Sequence, residues 1–307
     1  MADIVICEFM DEAVIGKTFA GRDLLYDPTL VDHPAALHAA LTDARAVIVR
    51  NRTQVRAPLL DAAPRLKVVG RLGVGLDNID LAACKARGVA VHPASGANDL
   101  AVAEYVIACA LLLLRGAYAA SSRMIAGEWP RMALIGRELS DTCMALVGFG
   151  AIARAVAARA QALGMRVVAY DPYLPPDHAV WQSVEQCTLP QALARADVLS
   201  LHVPLTDETR HLIDAAALRA MRPRSILINA ARGGVVDEPA LAAALREGQL
   251  GGAALDVFER EPLDAASGAV FAGLDNLILT PHIAGVTEQS NVRVSEVTAQ
   301  NVLDYLD

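Results

Sequence analysis

Three side chains in the second half of the chain have the types that proton transfer beside an anion requires. They are Arg232 in Asn229-Ala230-Ala231-Arg232-Gly233-Gly234, Glu261 in Asp256-Val257-Phe258-Glu259-Arg260-Glu261-Pro262, and His282 in Thr280-Pro281-His282. An imidazole exchanges a proton near neutral pH, a carboxylate beside it favours its charged form, and a guanidinium fork fits a carboxylate. Such a set could move a proton on or off a carbonyl oxygen next to an acid group. Each residue alone is commonplace: Arg232 also reads as a surface arginine in a turn, and His282 as a structural histidine. On chemistry alone Glu259 serves as well as Glu261.

A second group has nucleotide chemistry. Gly148-Phe149-Gly150-Ala151-Ile152-Ala153 follows the apolar run Ala145-Leu146-Val147 and leads into a helical pattern that Gly164 ends. This is G-x-G-x-x-[GA] in the strand, turn and helix context that the motif needs. The first glycine permits the turn, the second clears a place for pyrophosphate, and helix N–H groups face the anion. Alone, the motif equally describes a tight strand-to-helix turn. The next strand ends Tyr170-Asp171-Pro172, placing an acid about twenty positions after Gly150, where it can accept bonds from ribose hydroxyls. Asp171 would repel a 2′-phosphate and no Arg or Lys lies between it and His178, so NAD is favoured over NADP.

These residues need a scaffold. Short apolar, β-branched runs at 4–7, 46–49, 67–71 and 89–92 predict strands between helical patterns, which implies a parallel sheet flanked by helices. A long helix is predicted over 98–115. New strands follow at 143–147, 166–170, 198–200, 225–228, 253–256 and 277–279. Two α/β units therefore succeed each other, and the amphipathic stretch 287–306, with no strand of its own, is expected to return to the first. The predicted domains are 1–97 with 286–307, and 98–285.

Composition narrows the function. With 307 residues, 54% hydrophobic and 20% charged, the chain can bury real cores, which excludes disorder and small disulfide scaffolds. A net charge of −8 opposes binding to nucleic acid or anionic membranes. Lysine stands only at Lys17, Lys67 and Lys85, so a later Schiff-base lysine or phosphate-loop lysine is excluded. Cys7, Cys84, Cys109, Cys143 and Cys187 form no C-x-x-C pair, which suits reduced core thiols and no metal. Met1-Ala2-Asp3-Ile4 carries an acid where a signal peptide has a base, and the apolar run 105–114 is too short to span a bilayer, so a cytoplasmic protein is expected.

Taken together, Val69-Gly70-Arg71-Leu72-Gly73-Val74-Gly75-Leu76-Asp77-Asn78-Ile79-Asp80, the 147–153 segment, Leu201-His202-Val203-Pro204-Leu205-Thr206, the 229–238 segment, 256–262 and Pro281-His282 resemble the D-2-hydroxyacid dehydrogenase family, which includes phosphoglycerate dehydrogenase. The resemblance covers nearly the whole chain. It implies a Rossmann NAD-binding domain and a flavodoxin-like substrate domain. It also implies that Arg232 binds the substrate carboxylate and keto oxygen, Glu261 rather than Glu259 orients the imidazole, and His282 handles the hydroxyl proton. Cofactor positions map onto Gly148, Phe149, Gly150, Ala151, Ile152, Asp171, Pro172, His202, Pro204, Thr209, Ala230, Arg232, Asp256, Ala284 and Gly285. Substrate positions map onto Arg50, Val74, Gly75 and Asn98, with Asn51 and Arg52 beside them. A homodimer is implied, supported by the apolar 105–114 run. Ala153 replaces the commonest third glycine, and Asn51 replaces a frequent serine.

The segment Arg50-Asn51-Arg52-Thr53 carries the substrate question. On a continued strand its two arginines share a face; in a loop they diverge, and Arg52 is then merely solvated. Were Arg52 to face the substrate, a second anion such as sulfonate or phosphate would be favoured over a methyl group. Glu8-Phe9-Met10-Asp11-Glu12, 49–54, Gly96-Ala97-Asn98-Asp99 and 281–289 are most similar to the sulfolactate dehydrogenase branch. The implied reaction is (S)-3-sulfolactate to 3-sulfopyruvate, with D-3-phosphoglycerate next. Trp129 and Arg131 are candidates to cap the site. The end at Asp307 predicts no further regulatory domain, hence no serine feedback, and no tails of the kind that would make an NAD(H)-sensing interaction protein.

Overall fold

The computed structural model describes residues 2–307; Met1, on which the N-terminal reading begins, lies outside the described residues. The chain divides into two units, Met1–Asn98 with Val286–Asp307, and Asp99–Gly285. Asn98 thus falls in the first unit.

The first unit holds β1 (Ile4–Ile6), β2 (Leu24–Tyr26), β3 (Ala46–Val49), β4 (Val68–Arg71) and β5 (Ala90–Pro93). They form a parallel sheet of order β2-β1-β3-β4-β5, the flavodoxin-like order. Because helices cover both faces, β1 and β3 are unbroken apolar runs with no exposed residue. Alternate residues serve opposite cores. Ile4, Ile6 and Ile48 pack with Val294, Ala299 and Val302 of the helix Glu288–Leu306, while Val5, Val47 and Val49 pack with Leu37, Leu41, Leu59 and Leu60. Each such buried aliphatic side chain contributes about 1.5–3 kcal/mol, which draws the C-terminal helix back onto this sheet. Its start is fixed by a capping box in which Thr287 Oγ1 accepts from the Ser290 N–H at 3.0 Å and Ser290 Oγ accepts from the Thr287 N–H at 2.8 Å.

The second unit adds β6 (Cys143–Val147), β7 (Arg166–Tyr170), β8 (Glu185–Gln186), β9 (Val198–Leu201), β10 (Ile226–Asn229), β11 (Gly252–Leu255) and β12 (Leu277–Leu279). This sheet is also parallel, of order β12-β11-β10-β9-β6-β7-β8. From β6 the chain runs outward through β7 and β8, then returns to β9 on the other side. The β6/β9 boundary is therefore a topological switch point, where open α/β sheets bind ligands beyond the carboxyl ends of their strands. Met144 and Leu146 face the helices Asp99–Arg115 and Ala151–Ala162, while Cys143, Ala145 and Val147 face the opposite core.

The sequence-predicted strands are present with ends displaced by a residue in places, and the 98–115 helix runs from Asp99 to Arg115. β2 and β8 were not anticipated: at three and two residues they carry too little periodicity to register. All five cysteines are buried free thiols. Among the described residues no single helix is long and apolar enough to cross a membrane, and no cluster of metal-ligating side chains occurs.

Candidate active site

In the second unit the candidate residues stand just past the carboxyl ends of β6, β7, β9, β10, β11 and β12. After β6 comes Gly148, at φ +85° with its N–H donated to Tyr170 O at 2.8 Å. A Cβ there would lie 2.5 Å from His202 O, so the turn tolerates only glycine. Gly150 differs: its φ is −74°, it precedes the Ala151–Ala162 helix with no side-chain cap, and a Cβ would meet nothing within 4 Å. Open space therefore lies before uncapped helix N–H groups, as a bound pyrophosphate needs.

After β7, Asp171 Oδ2 accepts from the Phe149 N–H at 2.9 Å and Oδ1 from the Tyr173 N–H at 3.0 Å, which fixes the carboxylate beside the glycine turn. Phe149 contributes only backbone here, since its ring is buried and stacks on Trp181 with centroids 5.3 Å apart. After β9, His202 Nε2 pairs with Ser200 Oγ at 2.9 Å, and burial pushes its pKa down to about 4, so its imidazole is neutral. Thr209 Oγ1 donates to Pro204 O at 2.6 Å, closing the following turn. The switch-point residues thus fit a dinucleotide: a close-approach turn, open helix N–H groups and a fixed carboxylate.

After β12 stands His282. Its Nδ1 lies 2.7 Å from Glu261 Oε2, while Glu261 Oε1 accepts from the Phe258 N–H at 3.0 Å. Burial works to raise the Glu261 pKa but is outweighed by the His282 hydrogen bond and charge, the Phe258 N–H and the charge of Arg232, leaving it below the ordinary value. Glu259 is committed elsewhere, to His211 Nε2 at 3.1 Å, and its N–H donates to Glu238 Oε1 at 2.7 Å. Geometry thereby separates two glutamates that chemistry alone left equal. Arg232 follows β10 on a loop braced by Asn229, whose Nδ2 donates to Arg232 O at 2.9 Å. A Cβ on the next residue, Gly233, would sit 1.7 Å from Phe258 O, so the loops of Arg232 and Glu261 lie in backbone contact.

The backbone of His282 is itself unusual, at φ +53°, a left-handed conformation that costs a non-glycine residue about 1–3 kcal/mol. Asp256, after β11 and only 1% exposed, supports it. The His282 N–H donates to Asp256 O at 2.8 Å, and the Ile283 and Ala284 N–H groups donate to Oδ1 and Oδ2, each at 2.8 Å. Ala230 is partly buried beyond β10, and Gly285 closes the second unit.

In the first unit, Glu8 is buried and accepts the backbone N–H groups of Arg50, Arg52 and Thr53 at 2.8, 3.2 and 3.0 Å, bending the segment after β3. The bend makes the two arginines diverge. Arg50 is partly buried, donates from Nη2 to Asn291 Oδ1 at 2.9 Å and lies 5.8 Å from the centroid of the Phe9 ring. Arg52 turns to Asp32 with both terminal nitrogens and is 58% exposed, so of the two arrangements left open by the sequence the segment adopts the divergent one. Asn51 and Val74 are exposed, Gly75 is partly exposed, and Asn98 Oδ1 is buried with no hydrogen-bond partner among the described residues. Trp129 is 78% exposed and Arg131 is exposed.

Sequence reasoning missed Glu8, Tyr105 and Thr280. Thr280 stands in the Thr280-Pro281-His282 segment, where nothing local marks its hydroxyl for a role. Tyr105 was legible only as one polar atom in an apolar helix.

Residues 107–284 match the family described as D-isomer specific 2-hydroxyacid dehydrogenase, NAD binding domain. The chain belongs to this family. It is 55% identical over 303 residues to an (S)-sulfolactate dehydrogenase of Chromohalobacter salexigens, covering 98% of this chain and 97% of that one. A D-3-phosphoglycerate dehydrogenase of Mycobacterium leprae is 42% identical over 89% of this chain but only 51% of its own, so the chain spans about half of that relative. Among solved structures, a D-lactate dehydrogenase from Aquifex aeolicus complexed with NAD and lactic acid superposes with a TM-score of 0.85 at 29% identity, covering 99% of this chain and 95% of that one. As a D-2-hydroxyacid dehydrogenase, the protein is an NAD-dependent oxidoreductase acting on a 2-hydroxy or 2-keto acid.

Proposed function

We propose that this dehydrogenase interconverts (S)-3-sulfolactate and 3-sulfopyruvate. The observation that carries this reading is the 55% identity, over nearly the full length of both chains, to an (S)-sulfolactate dehydrogenase. D-3-phosphoglycerate is favoured less, because the phosphoglycerate dehydrogenases match at 35–42% identity and along only about half of their own length. The stereochemical label is consistent: the hydride face that gives (R)-lactate gives (S)-3-sulfolactate, since sulfur ranks the sulfomethyl arm above carboxyl.

In this reading Arg232 grips the substrate carboxylate and the oxygen on C2. His282, with Nδ1 held by Glu261, presents Nε2 to that oxygen, giving its proton in reduction and taking it in oxidation. Gly148, Gly150, Ala151 and Ile152 receive the cofactor pyrophosphate, while Asp171 and Pro172, with His202, Pro204 and Thr209, serve its adenosine side. Ala230, Asp256, Ala284 and Gly285 serve the nicotinamide end. Bound NAD supplies the acceptor for the hydride from C2. For the first unit we assign substrate contacts to Arg50, Val74, Gly75 and Asn98, with Arg50, not the Asp32-paired Arg52, as the cation for a second anion. A cytoplasmic homodimer completes the proposal.

The test is NADH oxidation by the purified protein with 3-sulfopyruvate against 3-phosphohydroxypyruvate. A kcat/KM ratio above about tenfold, or ~1.4 kcal/mol of transition-state discrimination, is expected for the sulfonate. A ratio below one moves the enzyme to phosphoglycerate chemistry. His282→Ala should cost about a hundred- to ten-thousandfold in kcat while NADH binding persists; unchanged turnover would overturn its role.

A further inference from the structure

The helix Asp99–Arg115 is apolar through most of its buried face, yet it carries one hydroxyl inward. The Tyr105 OH lies 2.6 Å from Thr280 Oγ1, and Thr280 Oγ1 donates to Asp256 Oδ1 at 2.6 Å. Thr280 has one hydrogen to give and gives it to Asp256, so the phenol must be the donor to Thr280. Burial pushes the Tyr105 pKa up, which keeps the phenol protonated and donating. The same Asp256 Oδ1 accepts the Ile283 N–H, and the His282 N–H is shared between Asp256 O and Thr280 O at 2.8 and 3.0 Å.

We propose that Tyr105 and Thr280 are positioning residues for His282, acting in series through Asp256. The proposal rests on His282 being the acid/base. A carboxylate with freedom to rotate would release the Ile283 and Ala284 N–H groups, and the left-handed backbone at His282 would relax toward an ordinary conformation. One hydrogen bond from Thr280 fixes the side-chain angle of Asp256, and one from Tyr105 fixes the hydroxyl of Thr280. A phenylalanine would fill the same space on the helix, so the hydroxyl serves orientation and not packing.

The test compares Tyr105→Phe, Thr280→Val, Thr280→Ser and the double variant Tyr105→Phe/Thr280→Val, by steady-state kinetics with NADH and the preferred keto acid, beside thermal melts. Thr280→Val should lower kcat about ten- to a hundredfold and Tyr105→Phe about three- to tenfold, with KM for the keto acid moving less. Thr280→Ser should stay within about twofold of wild type, because its hydroxyl survives. The double variant should be no slower than Thr280→Val, since a phenol acting only through Thr280 has nothing left to orient. Multiplying effects in the double variant, or a serine variant as slow as the valine one, overturns the proposal. Should Thr280→Val not fold, Tyr105→Phe with wild-type kcat overturns it alone. His282→Ala assayed in parallel separates the two ideas: if it retains turnover the acid/base reading itself has failed, and if it is inactive the series stands or falls on the hydroxyl variants.

Discussion

Glu261 holds His282 against opposing forces, and the balance sets a pH window. Burial works to raise its pKa, but the His282 hydrogen bond and charge, the Phe258 N–H and the charge of Arg232 together lower it more, so the folded value lies below the ordinary 4.5. A depressed carboxyl contributes its bond fully above the unfolded value and loses it as pH falls through the folded one. Loss of kcat/KM through Glu261 is therefore expected only below about pH 4.5. In a pH–rate profile, Glu261→Gln should lower kcat about ten- to a hundredfold across the plateau. A Glu261-dependent fall between pH 5 and 6 would contradict this assignment. The arginines give a second contrast. Arg50 is partly buried and placed near Phe9 and Asn291, whereas Arg52 is exposed and paired with Asp32. Arg50→Ala should raise KM for 3-sulfopyruvate at least about tenfold, and Arg52→Ala less than about twofold; equal effects would show that the Asp32 pair opens during turnover. The residue types of this centre were readable from sequence and the family resemblance pointed to Glu261, but why Glu259 does not serve is seen only in the Glu238–Glu259 backbone contact, which lies across chain segments that no local pattern links.

The strand-to-helix turn after β6 separates folding from binding within three residues. Gly148→Ala forces a side chain into positive φ and against His202 O, so the domain should lose stability, by about 1–3 kcal/mol or more, seen as a lower Tm. Gly150→Ala has ordinary φ and open space, so Tm should stay within about two degrees while the Kd for NADH rises at least about tenfold. Fluorescence titration checks the second outcome, and unchanged affinity would remove Gly150 from the pyrophosphate site. This element was legible because its motif is local: strand, glycine turn, helix and a following acid lie within one βαβ stretch. The long strands were legible for a similar reason, since burial on both faces writes continuous apolar runs such as Ala46–Val49. What sequence did not show were contacts at large separation. Glu8 turns the 50–53 segment from about forty residues away and so sets Arg52 toward Asp32. Tyr105 reaches Thr280 across 175 residues, and in a periodicity reading it is only one more large side chain in an apolar run.

At the scale of the whole molecule, the balance of charge and apolar surface bears on assembly. A net charge of −8 keeps copies apart at long range, yet the second unit exposes Ile125 at 88%, Met132 at 76%, Ile135 at 65% and Tyr118 at 67%, with Leu111 and Leu112 on the adjoining helix. Apolar side chains concentrated in one segment, 111–135, are more than the scatter that a monomer's surface carries, and such patches commonly mark protein–protein interfaces. Association of two identical copies would bury the patch twice under one twofold operation, the commonest solution for soluble homo-oligomers. Sedimentation velocity should therefore give a species of twice the 32.4 kDa chain mass at micromolar concentration. Replacing Ile125 and Met132 with Glu should shift it to the monomer, because each copy then places unpaired charge in the contact. The thermal midpoint of the wild type should rise with protein concentration and that of the double variant should not, since association stabilises by mass action. A wild-type chain that sediments as a monomer at every concentration would leave this surface to another partner and would withdraw the homodimer from the proposal.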